Sequence, residues 1–232
     1  MIVNGFLKTT LLDYPGHLAS TVFLGKCNFR CPFCHNSMLV LEPQNAEQID
    51  FETVLSHLNK RKNILEGVCI TGGEPTLNPK LTDLIRAIKD VGLLVKLDTN
   101  GYRPDILEKL FNDNLIDHIA MDIKSSRNNY HIACGLNNID IGIISKSIKL
   151  IKEKSTSYEI RTTLVKGIHT DDDLLDIADW IGNVNLYFLQ NYTDSENVMK
   201  RIFSAFSDEE MHHFKELIID KVPNTKIRGE SC

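Results

Sequence analysis

The chain has 232 residues, 42% hydrophobic and 25% charged, with a formal net charge of -5. This composition excludes a globally disordered chain, and the charge lacks the basic footprint of a nucleic-acid binder. No apolar run approaches the roughly 20 residues that a membrane-spanning helix needs, so neither nucleic acid nor membrane is expected as a partner. MIVNGFLKTTLLDYPG at the N-terminus lacks a basic start followed by an apolar stretch. No secretory signal is therefore expected, and a cytoplasmic address follows by default.

No repeat, low-complexity tract or linker breaks the chain, which reads as one domain. Residues 1–18 form an N-terminal extension, 19–192 a core and 193–232 a C-terminal helix and tail. In chain order, the first strand is expected from Ala19 to Gly25 and the second from Gly67 to Gly73. Leu81, Leu84, Ile85, Ile88 and Val91 then mark a helical face, followed by a strand from Leu94 to Gly101. Ile106, Leu107, Leu110 and Phe111 fit a short helix before a strand from His118 to Lys124. Ile144, Ile148 and Ile151 mark the next helix, and Tyr158 to Val165 the fifth strand. Thr170 before three aspartates reads as a helix start, with a capping hydroxyl and acids at the positive dipole end. Leu174, Ile177, Ala178 and Ile181 continue that helix, Asn185 to Tyr192 is the sixth strand, and Met211, Phe214, Leu217 and Ile218 belong to a last helix.

Six β/α units in series imply a parallel sheet, because parallel strands need crossover connections. Six is short of the eight that close a full barrel, so an α/β fold of partial (β/α)6 barrel type or a doubly wound sheet is expected. In either, chemistry gathers at the carboxyl ends of the strands. The polar oddities sit there: a cysteine loop after strand one, Gly72-Gly73-Glu74-Pro75 after strand two, Asp98-Thr99-Asn100-Gly101 after strand three and Asp122-Ile123-Lys124 after strand four. Arg161 lies within strand five.

Of six cysteines, three lie within eight residues, in Cys27-Asn-Phe-Arg-Cys31-Pro-Phe-Cys34-His35-Asn36. A tight trio points to metal or redox chemistry rather than a disulfide framework. Three thiolates can hold a cubane iron–sulfur cluster that usually takes four, leaving one iron open to a substrate. The alternative is a zinc site completed by His35. Cys69, inside an apolar strand, reads as core, and Cys134 and Cys232 as plain thiols. Asn100-Gly101 is a good turn dipeptide, and His169, His212 and His213 fit surface or capping positions. Without the cysteines, the Gly-Gly-Glu-Pro segment would be a strand-to-turn device, and Asp98 and Asp122 would be helix caps or partners of Lys124.

The C-x3-C-x2-C loop with Phe33 before its last cysteine resembles the signature of the radical S-adenosylmethionine superfamily. Gly72-Gly73-Glu74-Pro75 is similar to that superfamily's GGE motif. The glycyl-radical enzyme activases are the nearest likeness, on Cys34-His35-Asn36, Asp13-Tyr14-Pro15-Gly16, Leu97-Asp98-Thr99-Asn100-Gly101 and Met121-Asp122-Ile123-Lys124. The opening LLDYPG…VFLGKCNFRCPFCHN most resembles the activating proteins of anaerobic ribonucleoside-triphosphate reductase. Gly25-Lys26 departs from the usual Gln-Gly, and no second cysteine cluster suggests a ferredoxin-like insertion.

The resemblance implies a [4Fe-4S] cluster on Cys27, Cys31 and Cys34, and S-adenosylmethionine against Phe33, Gly72, Gly73, Glu74, Asp98, Asp122, Lys124 and Arg161. Glu74 would hold the amino group of the methionyl moiety. Asp98 and Asp122, with the carbonyls of Thr99 and Ala120, would hold a monovalent cation beside the carboxylate, which Lys124 would also face. The implied reaction is one-electron reductive cleavage to a 5′-deoxyadenosyl radical, which takes a Cα hydrogen from a glycine of a partner reductase. A one-electron donor such as flavodoxin or ferredoxin would supply the electron. Pyruvate formate-lyase, another glycyl-radical enzyme or a small molecule are the alternative substrates.

Overall fold

The computed structural model describes residues 1–229; Cys232 lies outside them. In chain order the elements are β1 (Ile2–Val3), β2 (Gly5–Thr10), β3 (Ala19–Leu24), α1 (Ser37–Leu41), β4 (Ile49–Asp50), α2 (Phe51–Arg61) and β5 (Gly67–Gly72). After a 3-10 turn at Pro75–Leu77 come α3 (Leu81–Asp90), β6 (Leu94–Thr99), α4 (Pro104–Asn112), β7 (His118–Asp122), α5 (Tyr130–Cys134) and α6 (Ile141–Lys154). β8 (Tyr158–Leu164), α7 (Asp171–Ile181), β9 (Tyr187–Asn191), α8 (Asp208–Ile218) and β10 (Thr225–Ile227) complete the order.

Eight strands form one sheet in the order β10-β9-β8-β7-β6-β5-β3-β2. β3 and β5 to β10 run parallel, and β2 pairs antiparallel with β3. The six strands expected from the apolar runs are the central six, in sequence order. The sheet stays open, as a partial barrel requires: its edges, β2 and β10, do not pair with each other among the described residues. Arg228, just past β10, reaches the carbonyl of Leu12, just past β2, at 3.4 Å. One side chain therefore links the two edges.

The strands are buried on both faces, as parallel strands covered by helices must be. Ile119, Ala120 and Met121 of β7 are consecutive and fully buried. Helices cover the outer face: α3 buries Leu81, Leu84, Ile85 and Ile88, one stripe at helical spacing. α7 begins at the expected place, with Thr170 and Asp173 forming a reciprocal capping box. The inner face is polar. Lys96 and Asp98 of β6 and Glu159 and Arg161 of β8 alternate with apolar residues, so each pair points to the same side. No helix among the described residues is long and apolar enough to cross a membrane.

Candidate active site

β3 ends at Leu24 and the chain turns at once into the cysteine loop. Lys26 makes that turn with φ at +73°, the left-handed region that favours glycine. Its amide donates to the Leu39 carbonyl at 2.8 Å. The Arg30 guanidinium folds back onto the carbonyls of Cys27 and Phe29, at 2.6 and 2.7 Å. The Cys34 amide donates to the Cys31 carbonyl at 3.0 Å, closing the turn between the last two cysteines. From outside, the amides of Met199 and Lys200 donate to the carbonyls of Cys34 and Pro32, at 3.1 and 2.8 Å. The loop is thus held by backbone bonds on two sides, and its three sulfurs are left to face the barrel mouth.

Cys27, Cys31 and Cys34 line one cleft together with Phe33, Gly72, Gly73, Asp98, Thr99, Asp122, Lys124 and Arg161. These residues come from five separate stretches of the sequence. Burial pushes the Cys27 thiol up to about 11 and the Cys31 thiol up to about 12, and raises Cys34 as well. Thiolates in such a place need a positive partner, and cluster irons would supply one. Among the described residues no three His, Cys, Asp or Glu side chains converge on a single ion. His35 instead lies 3.4 Å from the Ser195 hydroxyl and packs on Tyr192. The Cys3His zinc alternative therefore has no assembled ligand set, whereas thiols spread around one cleft suit a multi-iron cluster.

Glu74 and Ala120 lie outside the cleft lining. Glu74 is 1% exposed, and its carboxylate accepts four hydrogen bonds. They come from the Thr76 amide (3.1 Å), the Thr76 hydroxyl (2.5 Å), the Thr99 hydroxyl (2.8 Å) and the Asn100 amide (2.6 Å). Burial raises its pKa even against those four donors. Three of these donors share Oε1 and one reaches Oε2, and the carboxylate sits behind the cleft lining rather than in it. It ties the end of β5 to the end of β6.

The two glycines before it serve the same join. The Gly73 amide donates to the Leu24 carbonyl and the Glu74 amide to the Lys26 carbonyl, each at 2.8 Å. A Cβ at Gly73 would collide with the Lys26 carbonyl, so only glycine lets these two backbones meet. Asn36 completes the seam by donating to the Gly72 carbonyl at 2.8 Å.

Beyond the sulfurs, the cleft wall is a network of charges. Arg161 donates through Nε to Asp122 (2.7 Å) and through Nη1 to Asp98 (3.2 Å). Lys124 donates to the second oxygen of Asp122 at 3.0 Å, and Lys96 donates to the second oxygen of Asp98. Burial alone would raise both aspartates, but Arg161 with Lys96 holds Asp98 below its usual range, and Arg161 with Lys124 holds Asp122 well below it. The carboxylates raise Lys124 and Arg161 in turn, against burial. Every oxygen of the two aspartates therefore already has a cationic donor. No carboxylate oxygen of Asp98 or Asp122 is thus free for the monovalent cation expected between them.

Two residues of the site carried little signal in the sequence. Asn100, a turn residue by its dipeptide, lines the cleft and reaches Cys27 Sγ at 3.8 Å and Asn28 Oδ1 at 2.8 Å. His169, expected at a surface or cap, is 4% exposed. It accepts from the Val165 amide at 3.0 Å and lies 2.9 Å from the Lys124 carbonyl, so it fixes the backbone of a cleft residue. Cys69 and Cys134 are buried, away from the cleft lining, and the Cys134 carbonyl accepts from the Arg30 amide of the cysteine loop.

Comparison with known proteins shows the family and the fold. The family model described as the Radical SAM superfamily matches residues 21–181. A Methanocaldococcus jannaschii protein described as a candidate glycyl-radical enzyme activating enzyme is 32% identical over 195 residues, covering 82% of this chain and 80% of that protein. The pyruvate formate-lyase-activating enzyme of Clostridium pasteurianum is 30% identical over 119 residues, 49% of this chain and 48% of that one. Among solved structures, Streptococcus suis SuiB bound to S-adenosylmethionine superposes with a TM-score of 0.64 at 17% identity, covering 91% of this chain and 52% of SuiB. That last likeness is one of fold.

Proposed function

Because the chain belongs to the Radical SAM superfamily, whose members use a [4Fe-4S] cluster and S-adenosylmethionine, we propose that it is a glycyl-radical enzyme activase serving anaerobic ribonucleoside-triphosphate reductase. The observation that carries this reading is the convergence of Cys27, Cys31 and Cys34 with Lys124 and Arg161 on one cleft at the carboxyl ends of the strands. Cys27, Cys31 and Cys34 hold the cluster. When bound there with S-adenosylmethionine, the cluster would supply one-electron radical chemistry directed at a Cα hydrogen of a partner glycine.

The chain's own residues bind and orient. Lys124 and Arg161 present positive charge to the carboxylate of S-adenosylmethionine, and Asp98 and Asp122 fix the direction in which those cations point. Phe33, itself buried, lines the cleft beside the sulfurs. Glu74 acts through Asn100 and Thr99, holding the mouth of β6 against the cysteine loop. A glycine segment reaches the cleft through the open side of the barrel, since only an extended segment without a side chain approaches closely enough. A flavodoxin or ferredoxin supplies the electron.

The choice of reductase rests on the opening LLDYPG…VFLGKCNFRCPFCHN, with its Cys34-His35-Asn36 continuation, and on the lack of a second cysteine cluster. The half-length likeness to a pyruvate formate-lyase-activating enzyme keeps that lyase as the second partner to assay. The test is isotopic. Reconstituted, reduced protein is incubated with S-adenosylmethionine and a reductase deuterated at its radical glycine. Deuterium is expected in 5′-deoxyadenosine. Deuterium transfer from pyruvate formate-lyase with none from the reductase would reassign the partner and leave the radical chemistry in place.

A further inference from the structure

We propose that Lys96 supplies from within the chain the positive charge that a monovalent cation would supply beside Asp98, so that this protein binds S-adenosylmethionine without sodium or potassium. The inference rests on the reading above that the carboxylate of S-adenosylmethionine lies at the ends of β6 and β7.

Lys96 is 1% exposed, among the most buried large side chains in the molecule. Lysine is almost never found there without a partner. Its place on β6, two residues before Asp98, puts both side chains on the inner face of the barrel. Its ammonium is ion-paired with one Asp98 oxygen and lies 3.9 Å from Cys69 Sγ. An ammonium is a compact point charge with three donors, the side chain nearest in kind to an alkali cation. Here it is delivered by a fixed strand.

The surrounding charges leave no room for a second such ion. Lys96, Lys124 and Arg161 face Asp98 and Asp122, three cations to two carboxylates, with a donor on each carboxylate oxygen. The one further acid in contact, Glu159, is shared between Arg161 at 3.7 Å and Arg228 at 3.6 Å. An added alkali ion would meet three fixed positive charges at close range and would have to displace one of them. The anionic end of S-adenosylmethionine meets Lys124 and Arg161 in the cleft wall as attraction, and Lys96, buried beneath that wall, acts on it through Asp98.

The test is a binding measurement on the reconstituted, oxidised holoprotein, in which no cleavage occurs. The Kd for S-adenosylmethionine is measured by calorimetry at one ionic strength in sodium chloride, potassium chloride and choline chloride, choline being too large for the site. The three values are expected to agree within about twofold. Lys96→Met is expected to bind at least about tenfold more weakly in choline, and to regain affinity in potassium or sodium. Wild-type affinity at least about tenfold weaker in choline than in potassium or sodium would overturn the proposal, and needs no variant to be seen. A folded Lys96→Met with one affinity in all three salts would overturn it too. No binding in any salt would instead bring down the cofactor reading on which it stands.

Discussion

The side-chain amide of Asn100 stands 3.8 Å from the sulfur of Cys27, while the Asn100 backbone amide donates to Glu74 at 2.6 Å. One residue thus connects the Gly-Gly-Glu turn to the first cysteine of the loop. The Phe29 amide donates to the same sulfur at 3.3 Å. Donors aimed at a ligating sulfur favour the more negative, reduced state of a cluster and raise its potential. Replacing Asn100 by alanine is expected to lower the cluster's midpoint potential by about 20–60 mV, a hydrogen bond's net worth in a one-electron couple. A redox titration followed by electron paramagnetic resonance measures it. An unchanged potential would mean that the Phe29 amide alone serves the sulfur.

Glu74→Gln separates two roles for this carboxylate. Glutamine keeps the shape but offers one acceptor oxygen, and places an NH2 against the donors of Thr76, Thr99 or Asn100. A buried mismatch of this kind costs about 1–3 kcal/mol. The variant is expected to unfold earlier in urea with the same slope, in protein that has never met S-adenosylmethionine. Wild-type stability with weakened cofactor binding would return Glu74 to direct contact with the ligand.

Lys26 occupies a conformation suited to glycine, with φ at +73°. An L-residue there costs about 1–2 kcal/mol relative to a residue with no Cβ. Lys26→Gly is therefore expected to stabilise the protein by about 1 kcal/mol and to raise Tm by about 2–4 °C. A thermal-melt comparison measures the change, and an unchanged or lower Tm would contradict a strained backbone at this position.

His169 gives a pH dependence with a defined sign. Burial holds its pKa below the ordinary 6.5, and outweighs the Lys124 carbonyl against the ring and the nearby Asp173, which both favour the protonated form. The unfolded chain takes up the proton at 6.5 while the folded one does not. This residue's contribution to stability is full above that value and falls as pH drops toward the folded pKa. His169→Gln is expected to flatten the difference in Tm between pH 7 and pH 5. An identical slope in both proteins would show that other groups set it.

The sequence carried some features of this molecule plainly and hid others, for physical reasons. The six central strands were legible because two-sided burial writes itself as short apolar runs, and the α7 start because Thr170 and Asp173 form a local motif. β2 and β10 were not, since β2 is a largely exposed edge strand with no clear period and β10 is only three residues long. The cysteine loop was legible from spacing alone. The orientation of Glu74 was not, because its donors come from Thr76, Thr99 and Asn100, and two of the three lie on another strand end. Lys96 interrupts an apolar run, and only its parity with Asp98 hints that its charge is turned inward. His169 looks like any loop histidine until β7 and β8 are placed beside each other.

The claim that organises the site is that this chain makes a radical on a glycine of another protein. It is tested most directly by electron paramagnetic resonance on a mixture of reduced, reconstituted protein, S-adenosylmethionine and anaerobic ribonucleoside-triphosphate reductase. A glycyl radical doublet is expected on the reductase, absent when S-adenosylmethionine is omitted and absent with Cys27→Ala, Cys31→Ala or Cys34→Ala. Steady formation of 5′-deoxyadenosine with no glycyl signal on the reductase or on pyruvate formate-lyase would contradict it.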